Sequence, residues 1–142
     1  MSLLGKLFGK TKRQPLSSIK LAATRGFPQA VVGELNYQRE IGRIVGGKSE
    51  FSASYACHAL LVCDDKNKHD ANAVQVRIKG AVVGYLPRDE AKKYREELTQ
   101  VDISMPSAVV RAKIVGGWLD EESEGNFGVK LSLKRPLAKT KA

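Results

Sequence analysis

The sequence predicts a mainly β fold with one or two helices, arranged as a small, partly open β-barrel of the OB-like or SH3-like kind. A long segment, residues 51–63, is largely apolar on both alternating faces, which is typical of a central strand. Two further apolar runs, 73–78 and 81–86, flank the two-residue connection Lys79-Gly80 and predict a tight hairpin. A single lateral helix and a final pair of strands complete this pattern.

Two weaker β signals precede the long strand. Residues 30–34 form a short β-branched run, and residues 42–47 (GRIVGG) provide a second apolar segment. We therefore predict two short strands before residue 51.

The helix follows the hairpin. Pro87 fits the first turn of a helix, and the acidic pair Asp89-Glu90 would lie at its positive N-terminal end. Ala91, Tyr94 and Leu98 share one helical face, so we predict that the helix extends to about residue 98.

The chain ends with two more predicted strands. Residues 108–119 and 126–133 are rich in apolar and β-branched residues. The acidic segment 120–125 between them has the composition of a turn. These strands would form a terminal hairpin.

Charge is concentrated at the two ends of the 142-residue chain, whose net charge is +9. Residues 1–25 carry six basic residues and no acid, and residues 134–142 carry four and no acid, which leaves 14 bases and 15 acids between them. We predict one domain at 30–133, a basic tail and linker at 1–29 and a basic tail at 134–142. Basic ends favour anionic partners such as nucleic-acid phosphates or acidic membrane surfaces, and are also compatible with solubilising tails.

The N-terminal tail has an amphipathic pattern. Leu3, Leu4, Leu7 and Phe8 have helical spacing, with lysines among them. This pattern indicates either a short basic helix that meets a membrane, a protein partner or DNA, or a frayed tail weakened by two glycines.

The cysteines and the hydropathy pattern favour a cytoplasmic protein. Cys57 and Cys63 lie six residues apart on one predicted strand, a separation of roughly 20 Å that is too long for a disulfide. No apolar run approaches the roughly 20 residues that span a bilayer, and glycine and lysine interrupt the short apolar N-terminal stretch.

Residues 42–49 match the phosphate-loop pattern GxxxxGK[ST]. A functional loop of this kind follows a strand and opens a helix, so that backbone N–H groups hold the phosphates. Here a predicted strand follows the match, and the chain lacks repeating strand–helix units. A chance match in a glycine-rich loop is favoured, with a nucleotide hydrolase as an alternative.

Cys57, His58, Cys63 and His69 are the candidate metal ligands. Their spacing differs from the paired spacing of structural zinc sites, and the adjacent Cys57 and His58 would point to opposite faces of a strand. We predict core cysteines, no bound metal or cofactor, and no catalytic residues.

Three motifs occur in a specific order and spacing: Val31-Val32-Gly33 with Tyr37, then Asn67-x-x-Asp70-x-Asn72-Ala73-Val74-x-Val76, then Val83-Gly84-Tyr85-Leu86-Pro87-Arg88-x-x-Ala91. Over about residues 30–118 the chain resembles the HIRAN family, which includes stand-alone prokaryotic proteins. The resemblance implies a small OB-like barrel with flanking helices. It also implies capture of single-stranded DNA at a free 3′-hydroxyl end, in DNA repair or replication-fork processing, with other repair proteins as further partners.

The resemblance also implies roles for six residues. Asn67, His69 and Asp70 would line a pocket for the terminal nucleotide, with Asp70 accepting the hydrogen bond of the 3′-hydroxyl. Tyr85 and Tyr37 would stack on bases, and Arg88 would pair with a backbone phosphate.

Three alternatives stay open, two on these residues and one on the class of function. His69 stands where the family often has an aromatic residue, which leaves specificity for 3′ ends open. Asp70 and Asn72 are also compatible with a purely structural role in the loop, as Pro87 is with a helix start. A different class of function is an adaptor that docks on a protein or membrane through its N-terminal segment.

Overall fold

One curled sheet makes up most of the computed structural model, which describes residues 18–140. Its strands are β1 (Ile19–Lys20), β2 (Gln29–Ala30), β3 (Ala53–Cys63), β4 (Val74–Ile78), β5 (Ala81–Tyr85), β6 (Ala108–Gly116) and β7 (Phe127–Ser132). A 3₁₀ turn (Glu34–Tyr37) and two helices, α1 (Gln38–Val45) and α2 (Arg88–Val101), accompany them. The lateral order is β2-β7-β6-β3-β4-β5, and β1 pairs in parallel with the start of β6. The sheet is mainly antiparallel and curls into a half-barrel, which confirms the predicted fold class.

Strand β3 is the centre of this sheet, as predicted. It pairs with β6 over residues 53–61 and with β4 over residues 60–63. Neighbours on both edges make β3 a central strand, although Ser54, Ala56 and His58 are exposed on its outer face. One strand therefore joins the two halves of the half-barrel.

The inner face of the sheet carries the core. Strands β4 and β6 turn alternate residues inward, and those inward residues are almost completely buried: Val74, Val76, Ile78, Ala108, Val110, Ala112 and Ile114. Helix α2 contributes Ala91, Tyr94 and Leu98, all fully buried in the same cluster, which confirms the predicted helical face. No helix within residues 18–140 is long and apolar enough to cross a membrane.

Residues 42–47 are not a strand, and that prediction was wrong. Residues 38–45 form helix α1, with Ile41 fully buried, and Gly46 ends the helix with a φ of 92°. Its apolar residues Ile41, Ile44 and Val45 have the i, i+3, i+4 spacing of a helix, and this spacing outweighed the strand propensity of β-branched side chains.

The helix also changes the interpretation of the GxxxxGKS match. Its first glycine, Gly42, lies within helix α1, and the next regular element after the match is strand β3. The side chain of Lys48 is paired with Glu124, with Nζ and Oε2 2.6 Å apart. The segment therefore lacks the strand–loop–helix order on which phosphate binding by this motif depends.

Residues 18–24 and the C-terminal segment pair with each other beside β6. Leu21 is only 5% exposed. The amide of Ala22 donates to the carbonyl of Ala138 at 2.8 Å, and the amide of Lys134 donates to the carbonyl of Ala22 at 2.8 Å. Pairing and burial thus involve residues on both sides of 30–133. The predicted amphipathic segment at residues 1–13 lies outside the described residues.

A salt bridge between Arg135 and Glu97 fixes the C-terminal segment to helix α2, and we call it the Glu97 clamp. The guanidinium of Arg135 donates to both carboxylate oxygens of Glu97, at 2.9 Å and 3.0 Å, and the Leu137 amide donates to the same carboxylate at 3.0 Å. The hydrogen bond from Arg135 lowers the pKa of Glu97, and the Leu137 amide adds to the effect against the opposing influence of burial.

The hairpin of β4 and β5 has the predicted tight turn. Lys79 and Gly80 both have left-handed backbone angles, with φ of 51° and 83°, as a two-residue hairpin of this kind requires. Strand β5 also meets the segment before the 3₁₀ turn, where the backbones of Val32 and Tyr85 exchange hydrogen bonds of 2.8 Å and 2.9 Å. This exchange brings residue 85 next to the chain that leads into the 3₁₀ turn.

Gly84 is required for that close approach. A Cβ at residue 84 would lie 2.5 Å from Cγ1 of Val31 and 2.7 Å from the carbonyl oxygen of Val32. We predict that Gly84→Ala lowers the free energy of unfolding by about 1–3 kcal/mol, because backbone must move to relieve the overlap. Gly42→Ala is the matched control: its Cβ would meet only Cε2 of Phe127, at 3.5 Å, and it should stabilise helix α1 by about 0.5–1 kcal/mol. Urea denaturation measures both, and equal effects of the two substitutions would contradict the packing described.

The Glu97 clamp predicts a pH dependence. The pKa of Glu97 is lowered on folding. The clamp therefore contributes its full stability above the ordinary glutamate pKa of about 4.3. This stability is lost as the pH falls through the lowered pKa. We expect Glu97→Gln to lower stability at neutral pH and to reduce the change in stability between about pH 5 and pH 3. Denaturation across that range tests this, with the exposed Glu96→Gln as control. A pH profile unaltered by Glu97→Gln would refute the clamp.

Candidate nucleic-acid interface

Asn67 organises the loop between β3 and β4. Its Oδ1 accepts hydrogen bonds from the backbone amides of His69, at 2.8 Å, and Asp70, at 3.0 Å. Its Nδ2 donates to Oδ2 of Asp64 at 3.2 Å. Oδ1 of Asp70 in turn accepts from the Asn72 amide at 2.9 Å. These are the local Asx-type bonds that the residue types favour, and they hold the loop in one conformation.

One carboxylate oxygen of Asp70 is ion-paired with Arg88 but accepts no hydrogen bond within the described residues. Its side chain is 18% exposed, and Oδ2 lies 3.6 Å from Nε of Arg88, which is longer than a hydrogen bond. Within residues 18–140, Oδ2 accepts no hydrogen bond. The structural role of Asp70 in the loop therefore uses Oδ1 and leaves Oδ2 at the surface.

Arg88 faces the same loop from the first residue of helix α2. Its Nη2 donates to the backbone carbonyl of His69 at 3.1 Å, while its side chain remains 72% exposed. The loop and the start of the helix thus place an acceptor oxygen and an exposed cation side by side. The hydrogen bonds of His69 within the described residues come from its backbone alone, and the residue is exposed.

Tyr37 and Tyr85 form a second group. Tyr37 ends the 3₁₀ turn, Tyr85 ends β5, and the Val32–Tyr85 bridge brings these two segments together. Burial raises the pKa of Tyr37, and the nearby Tyr85 hydroxyl raises it further. Both rings are partly exposed.

Gln75 and Asp64 connect the two groups. Nε2 of Gln75 lies 3.4 Å from the hydroxyl of Tyr85 and 3.5 Å from Oδ2 of Asp64, the same oxygen that accepts from Asn67. Asp64 itself is half-buried and hydrogen-bonded. The alternation of β4, with Val74 and Val76 buried, is the sequence signal that would have placed Gln75 on the outer face beside Tyr85.

The six residues predicted from the sequence thus form one surface region. Four lie at the loop and the start of α2, and the other two lie at the end of the 3₁₀ turn and the end of β5, with Gln75 and Asp64 between the groups. The region combines a partly exposed carboxylate, an exposed guanidinium paired with it and two aromatic rings. These are the groups needed to bind a hydroxyl, a phosphate and a base.

The candidate zinc ligands do not converge. Cys57 pairs with buried Ala112 on the inner face of the sheet, whereas His58 is exposed on the outer face. Both cysteines have free thiols, and burial raises the pKa of each. Residues 18–140 contain no group of three or more His, Cys, Asp or Glu side chains placed to hold a metal ion.

The role of Asn67 in shaping the loop predicts a local effect. In Asn67→Ala, the amides of His69 and Asp70 lose their acceptor, so we expect about 1 kcal/mol less protection and about fivefold faster hydrogen exchange at these two amides. Exchange followed by NMR tests this. Asn36→Ala, at an exposed position whose side chain has no hydrogen bond within the described residues, is the control. Unchanged exchange at residues 69 and 70 would show that another group holds the loop.

Comparison with known families matches residues 11–116, most of the chain, to the HIRAN domain. Comparisons with curated proteins and with solved structures gave no match. HIRAN domains are generally DNA-binding modules and are typically non-catalytic. The order of the three motifs, the curled half-barrel and the match over most of the chain agree, and this protein belongs to the HIRAN family.

Proposed function

We propose that this protein binds single-stranded DNA at free 3′-hydroxyl ends, without catalysis, in DNA repair or replication-fork processing. The observation that carries the proposal is the Asp70 carboxylate. One of its oxygens is committed to the loop, and the other is at the surface beside an exposed arginine.

A carboxylate is an unusual group for a site that binds a polyanion, and this suggests what it selects. An ionised carboxylate only accepts hydrogen bonds, so it favours a hydroxyl donor. A terminal phosphate at the same position would bring two negative charges together. Asp70 would therefore favour an end that carries a 3′-hydroxyl over one that carries a 3′-phosphate.

The neighbouring groups suit the rest of a terminal nucleotide. Arg88 has an exposed guanidinium for the adjacent phosphate, where it would also offset the repulsion between that phosphate and Asp70. Tyr37 and Tyr85 are both partly exposed aromatic residues, and an aromatic ring can stack on any base. Asn67 would hold the loop that presents Asp70, and the exposed His69 ring would add a weaker stacking surface than a larger aromatic.

Fluorescence anisotropy with the full chain tests the proposal. Oligothymidylates that end in a 3′-hydroxyl or a 3′-phosphate should differ in affinity by roughly 10-fold to 100-fold, the range for one hydrogen bond to a charged group. Asp70→Ala should remove this difference, because the 3′-hydroxyl loses its acceptor. Asp89→Ala removes an exposed acid from the first turn of α2 and is the control.

Circular dichroism of Asp70→Ala confirms that the variant is folded, since the substitution also frees the Asn72 amide. Equal affinity of the wild-type protein for the two ends would refute end recognition. Retained discrimination in Asp70→Ala would assign it to another residue.

A further inference from the structure

The outer face of the sheet, opposite the core, is basic across four neighbouring strands. Strand pairing identifies the residues on this face. Arg77 of β4 and Val109 of β6 both pair with Leu60 of β3. His58 pairs with Arg111, and Lys113 pairs with Lys130 of β7. Lys20 of β1 pairs with Val109 and so joins this face. We call Lys20, Arg77, Arg111, Lys113 and Lys130 the basic track.

No carboxylate of the described residues forms an ion pair with the basic track. Within residues 18–140, none of its five side chains has a carboxylate partner within 4.0 Å, whereas six other ion pairs occur elsewhere on the domain. The strand residues paired on the outer face include no Asp or Glu. The outer face of the sheet is therefore positively charged, although the middle of the sequence as a whole is nearly neutral.

Two features of the track point to an anionic ligand. Lys113 and Lys130 lie directly opposite each other on neighbouring strands, an arrangement of like charges that is unfavourable in the free protein. The Phe27 ring lies beside Arg111 and Lys113, with its centroid 5.2 Å from Cζ and 5.8 Å from Nζ. Cation–π attraction thus holds both cations beside the same ring.

Shallow depressions follow the track across the sheet. One of about 250 Å³ is lined by Lys20, His58 and Arg111, and a second of about 210 Å³ by His58, Arg77 and Val109. A third, of about 300 Å³, lies between Phe27 and Lys130. Its lining also includes one acidic residue, Glu34, whose Oε2 accepts a hydrogen bond from the Val129 amide at 3.2 Å.

The track begins beside the candidate end-binding site. Tyr85 pairs with Gln75 on the same outer face, and Oε1 of Gln75 accepts from Nε of Arg77 at 2.8 Å. From β5 to β7 there are four strand spacings, or roughly 19 Å. A basic surface of this length with an aromatic ring is the arrangement that sheets use to bind a single strand.

We propose that the outer face binds the phosphate backbone of the same DNA strand whose 3′ end is held at Asp70, along Arg77, Arg111, Lys113 and Lys130 toward the 5′ side. The inference rests on the proposed function for its starting point, the strand end. It adds a second contact surface, one that recognises backbone charge and carries no preference for the end.

The test measures the salt dependence of binding for a ten-nucleotide oligothymidylate with a 3′-hydroxyl or a 3′-phosphate, from about 0.05 to 0.5 M salt. Arg111→Gln/Lys113→Gln should lower the slope of log K against log salt by about 1.4, since each lost phosphate contact removes about 0.7. At 0.1 M salt this corresponds to binding about 25-fold weaker. The affinity ratio between the two ends should be unchanged.

Lys92→Gln/Lys93→Gln is the matched control, because it removes two exposed cations from helix α2. It should retain the wild-type slope. A dinucleotide with a 3′-hydroxyl, too short to reach β6, should bind the Arg111→Gln/Lys113→Gln variant and the wild type equally. Since the track holds like charges together, the double substitution is not expected to unfold the protein, and circular dichroism verifies this.

If Arg111→Gln/Lys113→Gln keeps the wild-type salt slope, or if the α2 control loses as much slope, DNA does not bind along the basic track. An equal loss of slope with a blunt duplex carrying 3′-phosphates would also overturn the proposal, because the occupant would then be double-stranded. The wild type could bind 3′-hydroxyl and 3′-phosphate oligonucleotides with equal affinity while the salt slope still falls in the variant. In that case binding along the basic track is supported and recognition of the 3′ end is refuted. The two proposals are therefore separable in one series of measurements.

Discussion

The register between β3 and β6 is the constraint on which the rest of the structure depends. It pairs Cys57 with Ala112 on the inner face and His58 with Arg111 on the outer face. Because side chains alternate along a strand, a slip of one residue would turn Arg111 into the core and Ala112 toward solvent. The cost of burying unpaired cations therefore opposes such a slip, in addition to the loss of apolar burial. The same pairing thus defines the core and the charged outer face.

Much of the fold is predictable because it depends on local patterns. Strand β3, the hairpin around Lys79-Gly80 and the face of α2 each follow from periodicity within one segment. Helix α1 was missed because β-branched side chains suggested a strand, whereas burial of Ile41 against the sheet stabilises the helix. The pairing of residues 18–24 with the C-terminal segment was missed for another reason. It depends on contacts between the two ends of the domain, which no local pattern records.

The candidate site shows the same division. Its six predicted residues come from motifs with fixed spacing, and the tight hairpin already places the loop before β4 near the end of β5. The links through Gln75 and Asp64 and the alignment of Arg77, Arg111 and Lys130 require the order and register of four strands. The sequence places positive charge at the chain ends, while the fold gathers a separate set of cations from β4, β6 and β7 onto one surface. Charge counted along a chain therefore underestimates the charge available to a ligand.

If the loop around Asp70 and the end of β5 act as one binding site, a bound DNA end should affect both. Titration of the ¹⁵N-labelled protein with a short oligothymidylate that ends in a 3′-hydroxyl measures this, since amide chemical shifts locate the ligand residue by residue. We expect the amides of residues 67–72, Tyr85 and Arg88 to shift together, with one common dissociation constant. Shifts confined to the acidic turn at 120–125 or to the exposed side of α2, with residues 67–72 and Tyr85 unchanged, would contradict it.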